Sequence, residues 1–216
     1  MIKAIETRYA GCRFRSRLEA RWAVFFDQLG ITWEYEPQGY IVGPERVPYL
    51  PDFWLPELGL WVEVKGSHEQ LDRDFGTLLS AMDWGMGLPN TEESLRTSSG
   101  GILLLGPVPA VGPGYMAVHS VLRHHQGVYR VYLRFDSTGQ EHNPVLPGNK
   151  TYVGDSSCGS WDINFLKYAP GLLDTQQIPI EGSGPWLTRP SEDFSRVRNA
   201  YTAARSARFE HGEQGA

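Results

Sequence analysis

An α/β fold, one sheet with helices packed against it, is what this sequence predicts, and three observations predict it. A capped amphipathic helix occupies residues 16–30. A β-hairpin with a bracketed turn spans residues 49–65. A second helical stretch at 69–82 is followed by the uninterrupted apolar run Ile102-Leu103-Leu104-Leu105. With a strand at 31–36 the order becomes α-β-β-β-α-β, and a single sheet covered by helices buries all of these faces.

The first helix has its signals at both ends. Ser16 is placed as N-cap with Glu19 three residues on, and Leu18, Trp22, Phe25 and Leu29 recur at helical spacing until Gly30 stops the run. Ile31-Thr32-Trp33-Glu34-Tyr35-Glu36 alternates as a strand and ends at Pro37, and Gly39, Gly43 and Pro44 predict a loop. Residues 49–55 and 60–65 are apolar and aromatic on either side of Pro56-Glu57-Leu58-Gly59, which reads as two strands and a turn. In the second helix Leu71, Phe75, Leu78, Leu79 and Met82 share one side, and Gly85, Gly87 and Pro89 break it. A polar loop through Ser98-Ser99-Gly100 leads to the apolar run at 102–105, which suits a buried strand.

Beyond this point the signals thin. Residues 116–122 and 128–135 read as a second hairpin turning at Gln126-Gly127. Residues 138–184 are rich in Gly, Pro and Ser, with one strand candidate at Thr151-Tyr152-Val153. Pro190 and Ser191 open a last helix with Glu192 and Asp193 in its first turn and Phe194, Val197, Tyr201 and Ala204 as its stripe. There is no internal repeat, and the tail after Glu210 is expected to be mobile.

Composition narrows the function classes. The chain of 216 residues is long enough to bury one sizeable core, and 41% apolar with 21% charged residues suits a folded globular protein. No apolar run reaches a membrane span and the first residues lack the apolar stretch of a signal peptide, so the expectation is a cytoplasmic protein without membrane contact. Cys12 and Cys158 form neither a disulfide framework nor a zinc-ligand spacing. A net charge of −5 argues against a protein that coats nucleic acid, but not against one that meets it through a local basic surface. Arg is the default cation, the only lysines being Lys3, Lys65, Lys150 and Lys167.

Register counting in the hairpin supplies the chemistry. If Leu55 pairs with Leu60, then Trp54 meets Trp61, Phe53 meets Val62 and Asp52 meets Glu63, with Cβ atoms roughly 4.5–5.5 Å apart. Lys65 lies on the Glu63 face and Val64 on the other. Two carboxylates side by side repel each other, a divalent cation removes that cost, and a nearby ammonium serves an anionic substrate. Asp52, Glu63, the backbone carbonyl of Val64 and Glu19 are hard oxygen donors of the kind Mg²⁺ or Mn²⁺ prefers. Such an ion polarises a scissile phosphate and lowers the pKa of water. Lys65 would then orient or deprotonate that water or stabilise the transition state, its pKa lowered by the apolar surroundings of Trp54 and Trp61. The competing account of Asp52 and Glu63 is an ordinary exposed hairpin face on which Lys65 pairs with Glu63. For Glu19 it is a capping box with Ser16.

Arg8, Arg13, Arg15, Arg17 and Arg21 crowd the first segment. Arg13, Arg15, Arg17 and Arg21 are the candidate nucleic-acid contacts, because Arg binds phosphate oxygens bidentately, although a solvated Arg-rich face accounts for them equally well. For Arg196, Arg198, Arg205 and Arg208 on the last helix, the solvated face is preferred. His124 and His125 point to opposite faces of a strand and do not share a metal. His68 either lines the mouth of the site or is a polar loop residue, and the second is preferred. Ser156-Ser157-Cys158-Gly159-Ser160 reads as a flexible loop, since no base is placed beside it.

Pro51-Asp52 and Glu63-Val64-Lys65, preceded by a helix bearing Glu19 and followed by a helix and an apolar strand, resemble the PD-(D/E)xK nuclease superfamily. The resemblance covers residues 8–108. It implies the restriction-endonuclease-like α-β-β-β-α-β fold with a central mixed sheet. It implies residues 1–110 as nuclease core, 111–185 as a β-rich accessory extension and 186–216 as a C-terminal helix and tail. It also implies Mg²⁺-dependent cleavage of nucleic acid, most directly as a DNA endonuclease. Asp52 and Glu63 would then be metal ligands, Lys65 catalytic and Glu19 an auxiliary ligand. Arg15-Ser16-Arg17-Leu18-Glu19 locally resembles the first helix of transposon endonuclease subunits. Two alternatives stay open. The chain could be a DNA-binding or assembly module of a larger complex, or a nuclease for RNA or for single-stranded or branched DNA. In the latter case Trp54, Trp61 and Trp84 would be candidates for stacking bases. The acidic balance also leaves room for a second copy of the chain or a partner protein that delivers the substrate.

Overall fold

The structure is a computed structural model that describes residues 6–83, 85–89, 100–124, 128–135, 141–142, 172–179 and 194–209. It is a mixed α/β protein built on a central mixed sheet. Helix α1 (Arg17–Leu29) begins at Ser16, whose side-chain oxygen accepts the Glu19 amide, and ends at Gly30 in left-handed backbone with φ 72°. The Gly30 amide donates to Asp27 and the Ile31 amide to Phe26, which satisfies the last carbonyls of the helix. Strands β3 (Glu34–Tyr35), β6 (Phe53–Leu55) and β7 (Leu60–Val64) follow, then helix α2 (His68–Ala81) and strand β8 (Ile102–Leu105). Counting only the strands of the central sheet, and leaving aside the separate hairpin of Tyr40–Val42 and Val47–Tyr49, the order is α-β-β-β-α-β, with β3, β6 and β7 antiparallel and β7 parallel to β8. A parallel pair needs a crossover connection, and α2 lies within it.

The hairpin register is the one the sequence predicts: Leu55 opposite Leu60, Trp54 opposite Trp61 and Phe53 opposite Val62. It does not continue to Asp52. The Asp52 amide donates to the Val62 carbonyl rather than to Glu63, so the chain leaves the ladder at this residue and frees its carboxylate to turn. The run at 49–55 is therefore not one strand. Strand β5 (Val47–Tyr49) pairs with β4 (Tyr40–Val42) as a separate hairpin, and Pro51, which has no amide to donate, sits in the break. This hairpin replaces the loop expected around Gly39, Gly43 and Pro44. Its turn uses left-handed backbone at Gly43 and Arg46, and a Cβ at Gly43 would stand 2.7 Å from Ser80 Cβ on α2. The strand expected at 31–36 shrinks to Glu34–Tyr35, because the Ile31 amide is used to cap α1 and Glu36 bends away at φ 44°.

Sheet order is β11-β10-β9-β8-β7-β6-β3, where β9 is Tyr115–His124, β10 Val128–Phe135 and β11 Glu141–His142. Strand β9 also pairs with β12 (Gln176–Pro179), which no sequence signal announced. Nor was the N-terminal hairpin of β1 (Thr7–Tyr9) and β2 (Cys12–Phe14) predicted. Its turn, Ala10-Gly11, takes positive φ at both positions but lacks the usual Asn or Asp. The last helix, α3 (Ser195–Ser206), starts after Phe194 without a side-chain cap and without acidic residues in its first turn, later than predicted. Its stripe of Phe194, Val197, Tyr201 and Ala204 is buried as expected. Pro190, Ser191, Glu192, Asp193, Gln126, Gly127, the Thr151–Val153 candidate, the Ser156–Ser160 run and the residues after Glu210 lie outside the described residues.

Alternation along the strands divides the core in two. Leu60, Val62, Val64, Phe53, Leu55, Leu103 and Leu105 join α1 and α3 on one face. Trp61, Ile102 and Leu104 join α2 and the β4–β5 hairpin on the other. Lys65 continues the sheet by donating its amide to Leu105. The apolar run at 102–105 is buried throughout because both faces of the sheet are covered.

His119 on β9 is enclosed by this packing. Its Nε2 lies 2.6 Å from the Tyr201 hydroxyl of α3 and its ring packs edge-on against Trp22. Burial pushes its pKa down to about 3. The unfolded chain, with a pKa near 6.5, takes up a proton that the native state refuses. Native stability is thus complete above about pH 6.5 and falls by about 1.4 kcal/mol per pH unit from this group as pH drops towards 3. Urea midpoints followed from pH 8 to pH 5 should decline more steeply in the wild type than in His119→Asn; parallel curves would show that His119 does not drive the acid limb.

Candidate active site

Three buried carboxylates meet where the start of α1, the break before β6 and the end of β7 come together: Glu19, Asp52 and Glu63, each less than a tenth exposed. Asp52 is held at both oxygens. Its Oδ2 accepts the Val64 amide at 2.7 Å and its Oδ1 pairs with the Arg15 guanidinium at 2.8 Å. Burial raises its pKa well above the usual carboxylate range, and the nearby charges of Glu63 and Glu19 raise it further, while the Val64 amide and Arg15 oppose the shift.

Glu63 accepts the Tyr49 hydroxyl at 2.5 Å on Oε2 and the Lys65 ammonium at 2.8 Å on Oε1. Tyr49 is fixed by the β4–β5 hairpin, and burial followed by the Glu63 charge pushes its pKa well up, so it remains a hydroxyl donor. Lys65 also pairs with Asp74 of α2 at 2.5 Å. The expected lowering of the Lys65 pKa is corrected here. Burial does lower it, but Glu63 and Asp74 outweigh burial and the net shift is upward. Lys65 is a held ammonium, not a base in waiting.

Glu19 combines the two accounts the sequence left open. Its Oε1 accepts the Ser16 hydroxyl at 2.7 Å while the Ser16 oxygen takes the Glu19 amide, a closed pair at the helix start. Its Oε2 accepts the Arg15 amide at 3.0 Å and the Tyr35 hydroxyl at 2.7 Å, so the box closes one residue earlier than the Ser16 amide predicted for it. Glu19 shares the inward side of α1 with Ala23 and Phe26, as its position in the helix implies, and its charge reaches Asp52.

Arg15 ties these groups together. It pairs with Asp52, and through Nε with Glu36, whose left-handed backbone costs about 1 kcal/mol or more. The Glu36 amide in turn donates to the Asp52 carbonyl at 2.9 Å. The ion pairs of the site set Glu36 and Asp52 against Arg15, and Glu63 and Asp74 against Lys65, while Glu19 accepts the Arg15 amide. The excess of negative charge is what a hard divalent cation offsets. No group of three or more His, Cys, Asp or Glu side chains among the described residues converges to hold a metal by itself. Asp52 and Glu63 remain as a two-carboxylate set, which suits Mg²⁺, an ion that keeps several waters when one or two carboxylates bind it.

The other candidates distribute differently. The Val64 side chain points into the core with α1, and its amide, rather than its carbonyl, is the group seen to engage the site. Arg13 lies exposed on β2 and pairs with Glu6, while Arg17 and Arg21 are half-buried on α1. Arg8 stands directly across from Arg13 on the hairpin. His68 is the first residue of α2 rather than a loop residue, and it meets Asp174 at 2.9 Å. His124 is buried at the end of β9, and His125 and Trp84 are outside the described residues. Trp61 is buried with its indole N–H donated to Pro89, so it is not an open platform for bases, while Trp54 is partly buried and packs on it at 4.5 Å. Tyr35, Glu36, Tyr49 and Asp74 belong to the site without any sequence signal having marked them. Tyr35, Glu36 and Tyr49 are 14 or more residues from their partners in the site, and Asp74 reaches Lys65 only through the folding of α2.

Among the described residues no helix is long and apolar enough to cross a membrane. Compared with known protein families, curated proteins and solved structures, the chain gives no significant match.

Proposed function

We propose that this protein is a metal-dependent nuclease of the restriction-endonuclease-like class that hydrolyses phosphodiester bonds, with DNA the first substrate to test. The observation that carries the reading is Asp52 buried beside Glu63, each carboxylate close enough to disfavour the other's charge, with Lys65 held as an ammonium on Glu63. The α-β-β-β-α-β order and the parallel β7–β8 pair support it. Asp52 and Glu63 would hold Mg²⁺ or Mn²⁺, with Glu19 close enough to add its charge. When bound, such an ion supplies Lewis acidity to a phosphoryl oxygen and lowers the pKa of water.

The chain's own contribution is positional and electrostatic. The Val64 amide fixes one oxygen of Asp52, so the carboxylate keeps its orientation as charge changes around it. Tyr49 does the same for Glu63. Lys65, protonated at neutral pH, places a positive charge where negative charge grows on the phosphate during substitution, an effect that is strong in a site partly closed to water. Glu63 and Asp74 hold that ammonium in place.

Lys65→Ala is expected to lower DNA cleavage by about 10²–10³-fold, since one preorganised charge contributes on this scale, while Mn²⁺ binds at least as tightly as in the wild type because a cation has left Glu63. Cleavage of linear and circular DNA with Mg²⁺ or Mn²⁺, with Asp52→Ala as the blank, checks it, and full activity in the Lys65 variant removes the assigned role. A second reading, a DNA-binding or assembly module without catalysis, is favoured by one observation: every oxygen of Asp52, Glu63 and Glu19 already has a protein donor. Absence of both Mn²⁺ binding and nicking at high protein concentration would establish that reading instead.

A further inference from the structure

Both carboxylate oxygens of Asp52 are already in use. Oδ2 is pinned by the Val64 amide, so the carboxylate does not rotate freely, and Oδ1 is the one that meets the Arg15 guanidinium. Arg15 is also the residue on which the acidic groups converge: its side chain meets Asp52 and Glu36, and its amide holds Glu19. The Arg15 side chain is nonetheless 54% exposed while Asp52 is buried, so the guanidinium borders solvent and can move outward where the carboxylate cannot. An arginine in this position is a cation at the place where a divalent ion has to bind, with a planar fork suited to phosphate.

We propose that Arg15 competes with the divalent cation for Asp52 and, once displaced, transfers its guanidinium to a phosphate oxygen of the nucleic acid. This rests on the reading of the site as a metal-dependent nuclease. Two positive groups at one carboxylate oxygen repel each other, so a bound cation drives the guanidinium outward. An anionic phosphate beside the site stabilises it there. Metal and nucleic acid therefore favour each other, by the same factor in both directions, although they touch different groups. A metal-free site is kept closed by its own arginine and discriminates against nucleic acid until the ion arrives.

The test is titration calorimetry with Mn²⁺ alone on the wild type, Arg15→Ala, Arg15→Gln, Arg15→Lys and Asp52→Ala. Arg15→Ala and Arg15→Gln should bind Mn²⁺ about tenfold more tightly than the wild type, because a competing positive charge has been removed. Arg15→Lys, which keeps the charge, should stay near the wild type. In a Lys65→Ala background, where cutting is slow on the timescale of the titration, Mn²⁺ should strengthen binding of a short DNA duplex, and Arg15→Gln should reduce that strengthening severalfold. Unchanged or weaker Mn²⁺ binding in both neutral variants overturns the proposal while leaving the nuclease reading standing. Equal Mn²⁺ isotherms for the wild type and Asp52→Ala would instead remove the metal site itself, and the proposal with it.

Discussion

On the proposed metal-dependent reading, Asp52→Asn is expected to fold, to show none of the thermal stabilisation by Mn²⁺ expected of the wild type, and to cleave DNA at least about 10³-fold more slowly, a barrier increase of roughly 4 kcal/mol. The argument begins with burial. The carboxyl is almost fully enclosed, and Glu63 and Glu19 face it, so its pKa lies well above that of an unfolded aspartate. A raised carboxyl pKa means that the native state retains a proton which the unfolded chain releases near pH 3.9. The stability linked to that proton is complete below the unfolded pKa and is lost as pH rises through the folded one. At pH 7 the metal-free wild type therefore carries a cost that asparagine removes, and the amide oxygen still accepts the Val64 N–H. The metal-free variant should melt at or above the wild-type temperature. Saturating Mn²⁺ at about a hundred times its dissociation constant should add about 2.7 kcal/mol to the wild type and nothing to the variant. Melting curves at pH 7 with and without Mn²⁺ decide the matter. An equal Mn²⁺ shift in both proteins would eliminate Asp52 as a ligand.

Trp22→Ala should destabilise the fold by about 4–6 kcal/mol, combining the loss of a buried indole with the orphaned Gly106 carbonyl. Trp22 is fully buried and meets Phe25, His119 and Tyr201 edge-on, and its Nε1–H donates to Gly106 just beyond β8 at 2.9 Å. One side chain thus joins α1 to the sheet and to α3. Since a domain is stable by only about 5–15 kcal/mol, the alanine protein should be partly unfolded near body temperature. Trp22→Phe keeps most of the apolar contact and loses the hydrogen bond, and should cost about 1–3 kcal/mol. Urea unfolding followed by circular dichroism measures both, and an alanine variant within 1 kcal/mol of the wild type would show that the core closes over the gap.

Glu19 lies one turn before Trp22 on the same helix, so the packing that anchors α1 also sets the position of an acidic group of the site. This dependence shows why parts of the molecule were legible in the sequence and others were not. The capped helix, the hairpin register and the buried run at 102–105 are local patterns: a Ser-x-x-Glu box, a turn between alternating residues, an unbroken apolar stretch. Local backbone physics decides them, and α1, the three pairs from Leu55–Leu60 to Phe53–Val62, and β8 came out as read. The strand expected at 49–55 failed because Pro51 interrupts it and Tyr40–Val42 competes for Val47–Tyr49. The β1–β2 turn was hidden because Ala10 adopts a conformation that its residue type does not advertise. Strand β12 was hidden because its pairing with β9 joins residues far apart in the chain.

The sequence by itself determined the residues from which a site is made: Asp52 and Glu63 at the end of a hairpin, Lys65 two residues on, and Glu19 at a helix start. Only the tertiary structure decided their electrical state. The path out of the ladder at Asp52 turned its carboxylate onto the Val64 amide and Arg15. Folding of α2 set Asp74 against Lys65 and kept its proton on, where sequence reading had expected it to be loosened. The physical reason is that spacing along a strand fixes which face a side chain occupies. Its charge, by contrast, depends on burial and on neighbours that only folding brings near, nine residues away for Asp74 on Lys65 and 37 for Arg15 on Asp52.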